Sequence, residues 1–338
     1  MTTNHRTPHT SKAPGVPSGD TGVFSARLLR ERGLSPALIA ERCAPGGPWQ
    51  QLLPDVYLLH PGPPSSRERV QAALLYAGRD PGRHGPLGGG REAMVTGRAA
   101  LALHGFTSVP PLAGQQRIDV LVPHQRRLRD AGDVALVRVR ALPNPQELCG
   151  LPCVPVPRAL ADAVTAPDDP DIIRRMLTEA VLAGYCDGAA VLRELAEAES
   201  LDLPHVAAAL PALHAADRTM GEDRLYAMVR CHRLPDPLWN VELVLPGGPP
   251  LGGVDAYWPD EAVAVVVDAR AASAGHDDDA WVRHARQRER LEALGITLVH
   301  LTPAKLGSAL EQQAAIVRTA LMASTDRTPA AYVGVIPR

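Results

Sequence analysis

Arginine is the residue type with most to offer chemically in the first third of this 338-residue chain. Arg27, Arg30, Arg32 and Arg42 surround Ser35, and Arg126, Arg127 and Arg129 form a second group further on. A guanidinium is a fixed fork of N–H donors that fits phosphate oxygens, and a serine hydroxyl adds a donor, so both groups suit a nucleic-acid backbone. Glu31 and Glu41 lie within the first group and leave it only +2, while the second group also reads as a solvated loop. Arginine abundance alone carries no such message. Of 35 basic residues only Lys12 and Lys305 are lysine, and with 29 glycines and 33 prolines this is the signature of a GC-rich coding sequence. Distribution is more informative: residues 24–150 carry +6, residues 151–218 carry −6 and residues 219–322 carry −4, within a total of −2. A nucleic-acid surface therefore belongs in the first third.

Other clusters have plainer explanations. His276 followed by Asp277, Asp278 and Asp279 has metal-ligand residue types, but acids just before a helix favour its dipole and read as a solvated N-terminus. Arg283, Arg286 and Arg290 share a helix face opposite Leu291 and Leu294, the pattern of a solvated face. His300, within LVHLT, reads as a core histidine. Cys43, Cys149, Cys153, Cys186 and Cys231 are scattered, odd in number and without CxxC, which argues against a zinc or disulfide scaffold. No GxSxG, P-loop or complete GxGxxG occurs, and Gly88-Gly89-Gly90 lacks the lysine of a phosphate cradle.

The elements that must position these residues follow from periodicity and breakers. The length suits about two domains plus tails. No apolar run approaches the roughly 18 residues of a bilayer span, so no membrane partner is expected. Without a visible secretion signal the expected location is the cytoplasm. Residues 1–22 are polar and rich in Pro, Gly, Ser and Thr, and read as a disordered arm. Residues 23–62 read as a winged helix: a helix carrying Phe24, Leu28 and Leu29, a stop at Gly33, a second helix opened by Ser35-Pro36, and a hairpin of Trp49–Leu53 with Val56–Leu59. Residues 63–218 are a mixed α/β middle: helices at 66–77 and 97–104 around a Gly-rich loop at 79–90, strands at 118–122 and 134–139, then helices at 158–164, 171–182, 189–198 and 204–214. Residues 219–323 read as a helix capped by Thr219, strands at 239–245, 254–258 and 262–268, a helix at 279–294, a strand at 296–301 and a helix at 305–322. Within them AVAVVVDA predicts a strand buried on both faces, and residues 324–338 are a tail. The expected class is α/β, or α+β overall.

The order α-β-β-β-α-β over residues 219–322, with Glu222 on the first helix, Asp255 on the second strand and Asp268 at the end of the third, resembles the PD-(D/E)XK nuclease fold. GEDRLYAMVR, GGVDAYWPDEAVAVVVDAR and LEALGITLVHLTP look like the very short patch repair endonuclease-like domains. GPWQQLLPDVYLL and RVQAALLYAG resemble the winged-helix N-terminal region of AbiE-type antitoxins, which such domains often follow in bacterial proteins. The resemblance implies two or three carboxylates converging on Mg²⁺ to position water and stabilise charge on a phosphate. Here Val266 stands where the family has Glu, and Ser273 where its His would fall. Residues i and i+2 of a strand share a face, so beside Asp268 an apolar side chain replaces one ligand. Glu222, Asp255 and Asp268 then read as a relict set, with Asp255 and Asp268 a weak metal site and no cofactor expected unless that site survives.

Three functions are consistent with these features. The favoured one is a bacterial, cytoplasmic protein that binds double-stranded DNA, an antitoxin-like transcriptional regulator or accessory factor with a cognate toxin or other protein as further partner. The second is a metal-dependent endonuclease using Glu222, Asp255 and Asp268. The third is a protein-interaction scaffold that does not bind DNA. Val266 counts against the second, and the +6 of residues 24–150 counts for the first.

Overall fold

The structure, a computed structural model, describes residues 22–78, 93–166, 169–268, 278–324 and 333–338. The arm at 1–21, the loop at 79–92 with Gly88–Gly90, Ser273, His276, Asp277 and residues 325–332 of the tail lie outside the described residues. The chain is α/β, and among the described residues no helix is long and apolar enough to cross a membrane.

The N-terminal segment runs β1 (Val23–Ser25), α1 (Ala26–Glu31), α2 (Pro36–Arg42), β2 (Gln50–Leu53) and β3 (Val56–Leu58), with sheet order β1-β3-β2. Ser25 and Ser35 each accept a hydrogen bond from a first-turn N–H, Leu28 and Leu38, and so fix where both helices begin. Gly33, at φ +86°, lets the chain turn between them. Phe24 is not on the first helix as its spacing suggested. Because the cap is Ser25, Phe24 precedes the helix and pairs with Tyr57 in β1. Its ring joins Leu29, Ile39 and Trp49 in a small core beneath the two helices.

The middle region adds α3 (Ser66–Ala77), β4 (Met94–Thr96), α4 (Gly97–His104), β5 (Ile118–Pro123), β6 (Val134–Val139), β7 (Gln146–Leu148) and β8 (Leu151–Cys153), in sheet order β6-β5-β4-β8-β7. Helices α5 (Val156–Ala163), α6 (Pro170–Leu182), α7 (Gly188–Glu197) and α8 (Pro204–Ala207) follow. Short strands β4, β7 and β8 had no alternation long enough to announce them. One continuous core joins Val23, Leu53, Val56 and Leu58 of the first segment to α3, the second sheet and Leu213. The first sheet therefore folds onto the middle region.

The third part opens on α9 (Leu210–Cys231), a single helix across the expected boundary at 218/219. Thr219 is an interior residue whose hydroxyl donates to Ala215 O, not a cap. Strands β9 (Leu238–Val244), β10 (Pro250–Trp258) and β11 (Val263–Val267) form an antiparallel meander, and α10 (Asp278–Ala293) crosses to β12 (Thr297–Leu301), parallel to β11. This is the expected α-β-β-β-α-β order, and β11 is buried on both faces as predicted. The final helix divides into α11 (Pro303–Ser308) and α12 (Leu310–Ser324), because Thr302 caps the first and Ala309 leaves helical geometry. Part of the expected tail is β13 (Gly334–Pro337), an edge strand on β9, giving sheet order β12-β11-β10-β9-β13.

Candidate functional site

Of the three acids singled out from the sequence, Asp255 and Asp268 line one cleft of about 650 Å³ at the junction of α9 with the third sheet, and Glu222 is joined to it through Arg218. Asp255 on β10 is buried at 3% side-chain exposure, and Glu222 sits on α9. Asp268 directly follows β11 and extends its pairing, Asp268 N donating to Leu301 O at 2.8 Å. Val266, two residues earlier, lines the same cleft and packs partly buried against the α10 side of the sheet. The close approach of α9 to β11 depends on Gly221, where a Cβ would lie 2.6 Å from Val267 Cγ1.

A fourth residue organises the cleft. Arg218, one turn before Glu222, donates from Nε to Glu222 Oε1 at 2.8 Å and from Nη2 to Asp255 Oδ1 at 2.9 Å. The second oxygen of Asp255 accepts the Val267 N–H at 2.6 Å. Burial works against the charge on Arg218, but the bonds and field of Glu222 and Asp255 outweigh it and raise its pKa. Burial pushes the Asp255 carboxyl up, opposed by the Val267 N–H and by Arg218. Both oxygens of the buried acid thus have donors, and one guanidinium fork joins the two carboxylates. With Val266 apolar and Arg218 between Glu222 and Asp255, these residues do not fit a divalent ion: a second cation would have to displace the first. Among the described residues no group of three or more His, Cys, Asp or Glu is placed to hold a metal. Gln287 on α10 also faces the cleft, its Nε2 donating to Gly253 O.

The basic residues of the first third have distinct placements. Arg27 pairs with Glu31 at 2.8 Å on the surface of α1. Arg30 is exposed, its Nε donating to Ala26 O. Arg32 and Arg42 lie over aromatic faces, with guanidinium carbons 4.5 Å from the Phe24 centroid and 4.8 Å from that of Trp49. A guanidinium stacked this way keeps its N–H donors in the plane of the group and loses rotameric freedom. Ser35 Oγ accepts the Leu38 N–H as the cap of α2. Along α2 the exposed side chains are Pro36, Ala37, Ala40 and Glu41, none of them a donor to base edges. Arg126 serves the C-terminus of α3, donating to Ala77 O and Gly78 O, whereas Arg127 and Arg129 are exposed. Their loop reaches the hairpin, since Gly132 abuts Leu53 Cδ2.

Outside the described side chains fall Arg283, Asp278 and Asp279; Arg286 and Arg290 are exposed on α10, opposite buried Leu291. His300 is partly buried beside Val266 in the β11–β12 pair. Sequence reasoning missed Arg218, and it also missed a buried network in the middle region. There Asp162, 3% exposed, accepts from Thr96 Oγ1 and from Arg158 Nη2 at 2.6 Å. The signal for both was an Arg and an acid four residues apart on one helix. Compared with known proteins, the chain matches no protein-family model and no curated protein.

Proposed function

We propose that this chain is a non-catalytic DNA-binding protein that grips duplex phosphates with its N-terminal helix pair, in the antitoxin-like regulatory or accessory role that the sequence resemblance implies. The observation that carries the reading is the setting of Arg32 and Arg42. Each guanidinium is held over a core aromatic next to α1 and α2, with exposed Arg30 beside them. Such groups are positioned before a ligand arrives, which lowers the entropy lost on binding. The small exposed side chains of α2 favour backbone contact over base reading, so affinity should depend little on sequence. The endonuclease reading is disfavoured by Arg218, which engages Glu222 and Asp255.

The test is a duplex titration over a salt series, with and without Mg²⁺, scoring binding and cleavage. Each phosphate contact contributes about 0.9 to the log–log salt slope, so Arg32→Ala/Arg42→Ala should flatten it by about 1.8. Point variants are needed because the first sheet shares the middle region's core, and its removal would unfold more than the interface. An unchanged slope in a folded double variant would sink the proposal, as would Mg²⁺-dependent cleavage by the native chain.

A further inference from the structure

We infer that Arg218 is the built-in counter-cation of the Glu222–Asp255 pair, a guanidinium standing where two carboxylates would otherwise be open to a divalent ion. Arg338 also lines the cleft and its field reaches Asp255, but it is Arg218 that is hydrogen-bonded to both acids. The chemistry of the donor set shows what is being held. Glu222 and buried Asp255 come from different elements, α9 and β10, and would repel each other with Asp255 only 3% exposed to solvent. One planar fork answers both at 2.8 and 2.9 Å, and it reaches them from α9 because Gly221 brings that helix close to β11. A hard divalent ion would use the same oxygens, so the two cations are mutually exclusive. Arg218 comes from the same chain, so it is present at full occupancy at any metal concentration. The carboxylate pair therefore stabilises the fold without metal, and loss of the arginine should convert it into an ion site. The arginine side chain is 46% exposed, which leaves the cleft open for an ion to enter once it is removed.

The experiment compares the full-length native chain with Arg218→Ala, Arg218→Lys and Arg218→Ala/Asp255→Asn. Mn²⁺ is the probe, read by its paramagnetic resonance signal and by thermal unfolding. The native chain and Arg218→Lys, each carrying its own cation, should show no saturable Mn²⁺ binding and no shift in Tm. Arg218→Ala should have a lower Tm without metal, bind one Mn²⁺, and regain about 5 °C when the ion is a hundredfold above its Kd. In the double variant that binding should be lost, because the buried oxygen has become an amide. Four results would overturn the inference: saturable Mn²⁺ binding by the native chain as tight as that of Arg218→Ala, folded Arg218→Ala with none, binding that persists in the double variant, or an Arg218→Ala chain that stays unfolded with and without Mn²⁺. The last would mean that the arginine is not replaceable by an ion.

Discussion

Replacing Gly221 with alanine tests the packing that assembles the cleft. An isolated helix would gain about 1 kcal/mol from Gly→Ala in its interior. Here the added Cβ would sit 2.6 Å from Val267 Cγ1 and 3.0 Å from Pro303 Cγ, whereas carbon atoms rest about 3.5 to 4 Å apart. Val267 is 4% exposed and stiff about χ1, and a proline ring cannot rotate away, so neither neighbour can give. The strain must be borne in place, at about 1–3 kcal/mol, or relieved by backing α9 off β11 by about 1 Å. The second route lengthens the 2.9 Å Arg218–Asp255 bond past the hydrogen-bonding limit and removes a charged partner from a buried carboxylate, costing about 1.5–3 kcal/mol. At the middle of either range, about 2 kcal/mol, the cost exceeds the propensity gain of about 1 kcal/mol, and the net expectation is a loss of about 1 kcal/mol. A urea titration followed by circular dichroism should show a lower midpoint with unchanged slope. Thr219→Ala, on the exposed side of the same helix, is the control and should fall within about 0.5 kcal/mol of the native chain. If Gly221→Ala were instead stabilised by the full propensity difference, the close approach of α9 and β11 would not exist.

Cutting the chain between residues 218 and 219 divides α9 and separates Arg218 from both of its acids, so a 219–338 fragment should lack the cooperative calorimetric transition of the full chain; a sharp transition in the fragment would restore the boundary read from the sequence. Glu179 accepts the N–H groups of Thr107 and Ser108, and despite burial these bonds hold its pKa below the usual value. Its folded pKa is depressed, so its contribution is complete above the unfolded pKa and lost as pH falls through the folded one. Stability should therefore drop between about pH 6 and pH 3, and less steeply in Glu179→Gln, as urea midpoints across that range would show. Burial pushes the Cys153 and Cys186 thiols up to about 12, so a disulfide reagent near pH 8 should label exposed Cys149 and Cys231 rapidly, half-buried Cys186 slowly, and buried Cys153 only after unfolding. Fast reaction of Cys153 would contradict the packing around it.

Legibility followed the length and strength of each local signal. Helix α3 was read at its true bounds because Val70, Leu74 and Leu75 recur at helical spacing, and the structure adds a capping box of Ser65 and Glu68 that fixes its start. The AVAVVVDA strand was equally plain, since only a strand covered on both faces tolerates so unbroken an apolar run. Three-residue strands such as β4 and β8 were not legible: alternation cannot be recognised over so few positions, and they exist because neighbouring strands pair with them. Strand β13 was hidden for a related reason, being an edge strand whose partner, β9, lies some ninety residues earlier. In the candidate interface the arginines were visible, but not their seats on Phe24 and Trp49, because those contacts are made between elements.

The cleft shows how one misplaced helix start conceals a cation. Along α9 the inward positions Leu213, Asp217, Gly221, Leu225 and Met228 recur every three or four residues without interruption, so one stripe serves both the core shared by the first two parts and a core of the third part. Two of these residues do not look like core. Asp217 is buried because its carboxylate accepts the Gly188 N–H, and Gly221 is buried because β11 leaves no room for a side chain. Reading the stripe by hydrophobicity alone breaks it at Asp217, and the helix is then read as beginning at Thr219. Arg218 falls just outside such a helix and loses its i,i+4 relation to Glu222, the one sequence feature that would have paired them. The acids were then counted without Arg218, and a set read as short of one ligand at Val266 was in fact already engaged by an arginine of its own.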